Sequence, residues 1–309
     1  MEGTLMSLSA NTSAPANAYL IGALFVLAAG LTWSFTGIFT HLAPDTDAWQ
    51  FLTYRCIGTA LVFVLINRLQ GHGSIVMRFF HLGWMGLLVS LAFAVSATCF
   101  IVAMKTTTVA NALFLSSCSP ILSAVLGRFV LGEKLNGLQL GAVILGFIGL
   151  AVIMGGGIEA GNLAGNICAF VCAVGFALAS LGMRSAQTLD FLPSIFGYGV
   201  MGALFAASMC VAHGTTLLPP LPQILAAFAA GFIVMGLGFR FFLRGAQHVP
   251  AVGQTVLAQT ETVFGPIWVW LIFGERPTDA TLVGGVIILI AVIAMAYAGA
   301  KPQPPNVAA

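Results

Sequence analysis

Charge is what this chain has least of. Of its 309 residues only 6% are Lys, Arg, Asp or Glu, against roughly a quarter in soluble domains, and no stretch is polar enough to make a soluble domain. The net charge is +2, with no basic cluster and no interleaving of basic and aromatic residues, which excludes a nucleic-acid partner. The cysteines, Cys56, Cys99, Cys118, Cys168, Cys172 and Cys210, fall inside apolar segments without a CxxC pair. They read as small buried hydrophobes rather than disulfides or metal ligands. His41, His72, His81, His213 and His248 lie near the ends of apolar runs without HExxH spacing, so no metal site is expected. GxSxG and GxxxxGKS are absent, and nothing marks an enzyme or a cofactor. Residues 1–18 hold no Lys or Arg before the first apolar run, lack the basic region of a secretory signal, and read as a disordered tail.

Apolar residues take the place of charge, at 59% of the chain. A helix crosses the bilayer core with roughly 20 residues, and runs of that size recur at 19–42, 48–67, 82–104, 109–131, 138–155, 163–184, 191–212, 224–244, 250–273 and 280–299. Continuous runs such as LVGGVIILIAVIAMAYAG lack the alternation of barrel strands. With no water to satisfy backbone groups, helices remain. The expectation is an all-α integral membrane protein with ten transmembrane helices. Arg68, Arg78, Arg128, Lys134, Arg184, Arg244 and Lys301 fall on the side of the termini, and only Lys105 and Arg276 on the other. The positive-inside rule then puts both termini in the cytoplasm of a multi-pass cytoplasmic-membrane protein. Its partners are the lipid bilayer and a small-molecule substrate, and the expected state is monomer or homodimer.

The chain also repeats itself. "FVLGEKLNG" at 129–137 and "LIFGERPTD" at 271–279 each close one apolar run and open another, and their Gly-Glu pairs stand 142 positions apart. Upstream, "LIGALFVLAAGLTWSFTGIF" matches "LAGNICAFVCAVGFALASLG" at an offset of 143. Two halves result, 19–155 and 156–300, with a C-terminal tail at 301–309. Five crossings per half invert the second half relative to the first, the pattern of secondary transporters that hold substrate near the midplane between their repeats.

Particular stretches carry a family resemblance. "GLTWSF", "FLTYRCIGTALVF", "TTTVANALFLSSCSPILSAVLGRFVLGEKLN" and the repeated Gly-Glu followed by a glycine-rich span resemble the EamA-type domain of the drug/metabolite transporter superfamily, in two tandem copies. The second copy departs from the first, with Tyr198 opposite Arg55 and Thr262 opposite Pro120. The resemblance implies ten helices, no nucleotide-hydrolysing partner, and export or exchange of amino acids, metabolites or drugs.

Charges near the bilayer centre cost about 2.5 to 3.5 kcal/mol on insertion scales and usually face a cavity. Arg55, Arg240 and Glu261 are the three that fall deepest within apolar runs. At ~1.5 Å of rise per residue, Glu261 lies roughly 15 Å from the edge at Ala251, near mid-membrane. Gln254, Ala258, Glu261 and Gly265 follow one helix face, with Gln259 and Thr262 adjoining, and the repeat maps that face onto Ala112, Ser116, Ser119 and Ser123. Three readings of Glu261 stand side by side: a proton carrier, a ligand for a substrate amino group, or half of a structural ion pair with Arg55 or Arg240. Arg55 suits a carboxylate and, with Glu261, makes a two-point clamp for a zwitterion. The expected substrate-binding set is Trp33, Arg55, Asn111, Ser116, Gln254, Gln259 and Glu261, with Glu261 and Arg240 in coupling or gating. Gly132-Glu133 and Gly274-Glu275 read as structural turns, and Pro120, Pro250 and Pro266 as helix kinks or starts. The expected function is a secondary active exporter or exchanger of amino acids, their analogues or amphipathic drugs, working by alternating access. A channel, a uniporter or a membrane-embedded enzyme is the alternative.

Overall fold

The computed structural model describes residues 16–106, 115–132, 135–155, 163–186, 188–274 and 279–300, and within them every regular element is a helix. The first group is α1 (Ala16–Trp33), α2 (Thr36–His41), α3 (Ala48–Leu69), α4 (Ile75–His81), α5 (Gly83–Thr106), α6 (Ser119–Val130) and α7 (Gly137–Gly155). The second is α8 (Leu163–Ser185), α9 (Leu192–Ala212), α10 (Leu221–Ala229), a π-helical segment (Ala230–Met235), α11 (Gly236–Ala246), α12 (Ala251–Ala258), α13 (Thr260–Phe273) and α14 (Asp279–Ala300). Among the described residues, seven helical segments are long and apolar enough to cross a membrane: Asn17–His41, Ala48–Leu69, Gly83–Ala103, Leu163–Ser185, Leu192–Ala212, Leu221–Ala246 and Ala251–Phe273. Shorter apolar helices, Ser119–Val130, Gly137–Val152 and Leu282–Ala298, fall in the remaining expected runs.

Packing partners exchange between the two halves. α1 lies along α11 while α8, its counterpart 143 positions on, lies along α5; α3 pairs with its own counterpart α9, and α7 with α14. The turns that end α6 and α13 also correspond. Gly132 and Gly274 hold φ of +66° and +76°, a left-handed conformation that only glycine enters without strain, as the sequence reading of these turns requires. The acids that follow them, Glu133 and Glu275, lie outside the described residues.

Side-chain bonds define two faces. On the terminal face the Tyr19 hydroxyl donates to Met295 O at 3.1 Å, and Arg78 of the short helix α4 pairs with Asp190 at 2.6 Å. On the far face the Gln50 amide donates to Thr216 O at 2.6 Å and the Tyr54 hydroxyl to Leu217 O at 2.6 Å.

The structure corrects four features of the expected spans. The first run is interrupted by a turn at Ser34–Phe35, and the run at 250–273 by a turn at Gln259. The run expected at 224–244 begins at Leu221 and contains the π turn. Finally, α4 forms where only a loop was expected, started by the Ser74 hydroxyl, which accepts from Met77 N–H at 3.5 Å.

Candidate functional site

The interruptions matter because of where they meet. Gln259 N–H donates to Val256 O at 3.1 Å and Thr262 N–H to Gln259 O at 3.0 Å, bonds three residues apart that break the α-helical ladder. A second turn lies at Ser117–Cys118, just before α6. The two turns touch: the Ser117 hydroxyl donates to Gln259 Oε1 at 3.3 Å, between residues 142 apart, the spacing of the repeat. Thr262 donates to the same oxygen at 3.1 Å. With Oε1 taken by two hydroxyls, the amide nitrogen is the end of Gln259 left for another partner. At the first interruption, Trp268 Nε1 donates to Ser34 Oγ at 2.8 Å and Phe35 stacks on Trp268 at 4.9 Å. The outer part of α13 is thereby tied to α2.

These interrupted helices surround a cavity of about 560 Å³, within the usual range for small-molecule sites. Trp33, Arg55, Ser116, Gln259 and Glu261 all line it, together with Thr36, Ser117, Ser119 and Thr262. Its floor toward the terminal face is aromatic. Trp33 meets Phe239 edge-on at 5.1 Å, Phe93 meets Phe239 at 5.1 Å, and Tyr198 lies 5.6 Å from Phe239. Beneath them Phe242 is fully buried, 5.3 Å from Trp33. In the opposite direction the lining runs through Thr40, His41, Ala43 and Thr46 at the far face, where Thr40 and His41 are exposed. The cavity therefore opens to the far face and is closed toward the termini.

Arg55 and Glu261 share this cavity without a hydrogen bond between them. Arg55 is 7% exposed; its Nη2 rests on Met235 Sδ at 3.0 Å, while Nε and Nη1 have no hydrogen-bond partner among the described residues. Glu261 is half-buried, in the first turn of α13, where the helix dipole favours an acid. A direct Arg55–Glu261 pair is thus not made in this state. Arg240 does not line the cavity; its charged neighbours are Arg244 and Asp190.

Gln254 is the other expected site residue that stands apart. It is fully buried, and its amide donates to Ala246 O at 3.1 Å and Val249 O at 2.9 Å, closing the turn between α11 and α12. Ala258, Glu261 and Gly265 do line the cavity. Gln254 shares the Ala258 face of α12 but lies one turn nearer the terminal face, where its amide is spent on the carbonyls of the α11–α12 turn. On the symmetry-related stripe, Ser116 and Ser119 line the cavity and Ser123 is buried outside its lining; Asn111 and Ala112 lie outside the described residues. Residues missed from sequence are Ser117, Thr262 as an orienting group, Met235 and the Phe93–Phe176–Tyr198–Phe239 floor. In an apolar chain a lining phenylalanine is indistinguishable by type from one facing lipid.

The profile of the EamA-like transporter family matches residues 20–155 and again 163–297. The chain belongs to that family, and is a multi-pass protein of the cytoplasmic membrane. Among characterised relatives it is 24% identical over 282 residues to the pseudopaline exporter CntI from two strains of Pseudomonas aeruginosa, covering 89% of this chain and 95% of the relative. A crystal structure of a protein 18% identical in sequence shares the fold, with a TM-score of 0.75 over 89% of this chain and 96% of its own.

Proposed function

We propose that this transporter exports small amphipathic metabolites, amino acids or their analogues foremost, by alternating access. In this reading ten helices form two inverted five-helix repeats, 19–155 and 156–300, with both termini cytoplasmic. The single observation that carries it is the cavity: polar and charged at mid-membrane, floored by aromatic rings toward the termini, and lined out to exposed residues at the opposite face. With cytoplasmic termini this is the outward-facing state. A channel needs a continuous polar path, and the aromatic floor interrupts one. The exporter named among the relatives supports the outward direction.

Glu261 is the coupling group in this proposal. It sits in the cavity wall without a hydrogen bond from Arg55, so a proton and a substrate cation compete for one carboxylate. Export then follows from loading substrate inside and a proton outside.

Purified protein in liposomes, preloaded with unlabelled solute and given labelled solute outside, tests the carrier reading. Saturable uptake accelerated by the internal load is the expected result. Flux that rises linearly with concentration and ignores the load would mean a channel.

A further inference from the structure

The head group of Arg55 lacks what a buried guanidinium ordinarily has. It carries five N–H donors and no acceptor, yet among the described residues its one bond goes to a thioether, a weak acceptor, and Nε and Nη1 go unmet. A second donor-only group on the same cavity wall, Trp33 Nε1, is likewise buried and without an acceptor. Removing a charge from water without a counter-ion is costly, and Glu261 on this cavity does not reach the guanidinium to form a hydrogen bond.

The backbone of Arg55 is nevertheless closely packed. Its carbonyl oxygen accepts from the Thr59 hydroxyl at 2.9 Å, and that hydroxyl also lies 3.4 Å from Gly231 O in the π turn. A Cβ at Gly231 would run into the Arg55 carbonyl, so the π turn approaches Arg55 as closely as glycine permits. A π turn of this kind frequently marks a functional site. Fixed backbone and under-occupied head group together describe a residue poised for a partner that the described residues do not supply.

We propose that Arg55 is the carboxylate anchor of the transporter: its guanidinium leaves Met235 Sδ and pairs with a carboxylate of the cargo. This deepens, and rests on, the carrier reading. It narrows the cargo to organic acids, above all amphoteric ones. Their amino group lies within the field of Glu261, and their apolar part meets the Trp33–Phe93–Phe239 floor. A neutral or purely cationic amphiphile leaves Arg55 on Met235 Sδ.

The test uses matched triplets of probes with the full-length protein in detergent: L-phenylalanine, its methyl ester and 2-phenylethylamine, then the same three forms derived from leucine, histidine and methionine. Binding is read by thermal shift. Free acids should stabilise wild type at concentrations lower by about tenfold or more than the ester or the amine of the same triplet. Arg55→Gln should abolish that preference and Arg55→Lys keep part of it. Esters binding as well as acids, no acid binding at all, or an acid preference surviving in Arg55→Gln would each overturn the anchor. The wild-type triplets decide the matter even if Arg55→Gln does not fold. Counterflow with the same probes separates the two claims: esters exchanged as well as acids sink the anchor alone, and acids bound selectively but never exchanged sink the carrier reading alone.

Discussion

Glu261, Arg55 and Gln254 are three polar residues set within apolar helices, with different work to do. Gln254 holds a turn through two hydrogen bonds, each worth about 1 kcal/mol net and more when a buried partner is orphaned. Gln254→Ala should therefore lower the unfolding temperature while leaving substrate concentration dependence unchanged, as thermal unfolding and uptake kinetics on one preparation will show. For Glu261→Gln, liposomes with an imposed pH gradient should retain counterflow but lose proton-driven accumulation; accumulation equal to wild type would remove Glu261 from coupling. At this scale much of the site was legible, because a charge or amide in a run such as "AQTETVF" has few uses. Trp33, Arg55, Ser116, Gln259 and Glu261 do line one cavity. Gln254 was misplaced for a physical reason: periodicity gives its helix face but not its depth, and one turn below Ala258 its amide serves the carbonyls of Ala246 and Val249.

Helix breaks are the feature of element scale that sequence pattern concealed. Neither Ser34–Phe35 nor Gln259 is a glycine or proline; tertiary partners hold the turns, Trp268 at the first and Ser117 at the second, where Thr262 adds a local bond. Pro120 and Pro266 gave a partial signal, the one in the first turn of α6 and the other inside α13. If Ser117 orients the Gln259 amide across the two halves, Ser117→Ala should raise the KM for transport by about two- to tenfold, the worth of one hydrogen bond, with kcat little changed. Ser117→Thr should restore it. The terminal-face pair Arg78–Asp190 joins α4 to the turn before α9 and is partly exposed. Such pairs contribute at most about 1 kcal/mol, so Asp190→Asn should move the balance between inward- and outward-open states by no more than about fivefold. Site-specific labelling from the terminal face measures that shift.

Across the whole molecule the repeat was the most informative signal, because two copies of one pattern constrain each other. The 142-residue spacing seen in the Gly-Glu turns reappears as a hydrogen bond between Ser117 and Gln259 and as left-handed glycines at both turns. The aromatic floor stayed hidden, since phenylalanine at mid-membrane looks alike whether it faces lipid, a neighbour or a cavity. That floor makes the cavity one-sided, and one-sidedness that reverses is the central claim. Labelling of an Ala97→Cys variant, in a chain otherwise cleared of its cysteines, tests it directly, because Ala97 lines the cavity. Membrane-impermeant maleimide should modify position 97 from the far face in resting vesicles, and from the terminal face only under conditions that protect it from the far face. Simultaneous modification from both faces, or from the far face alone under every transport condition, would contradict alternating access.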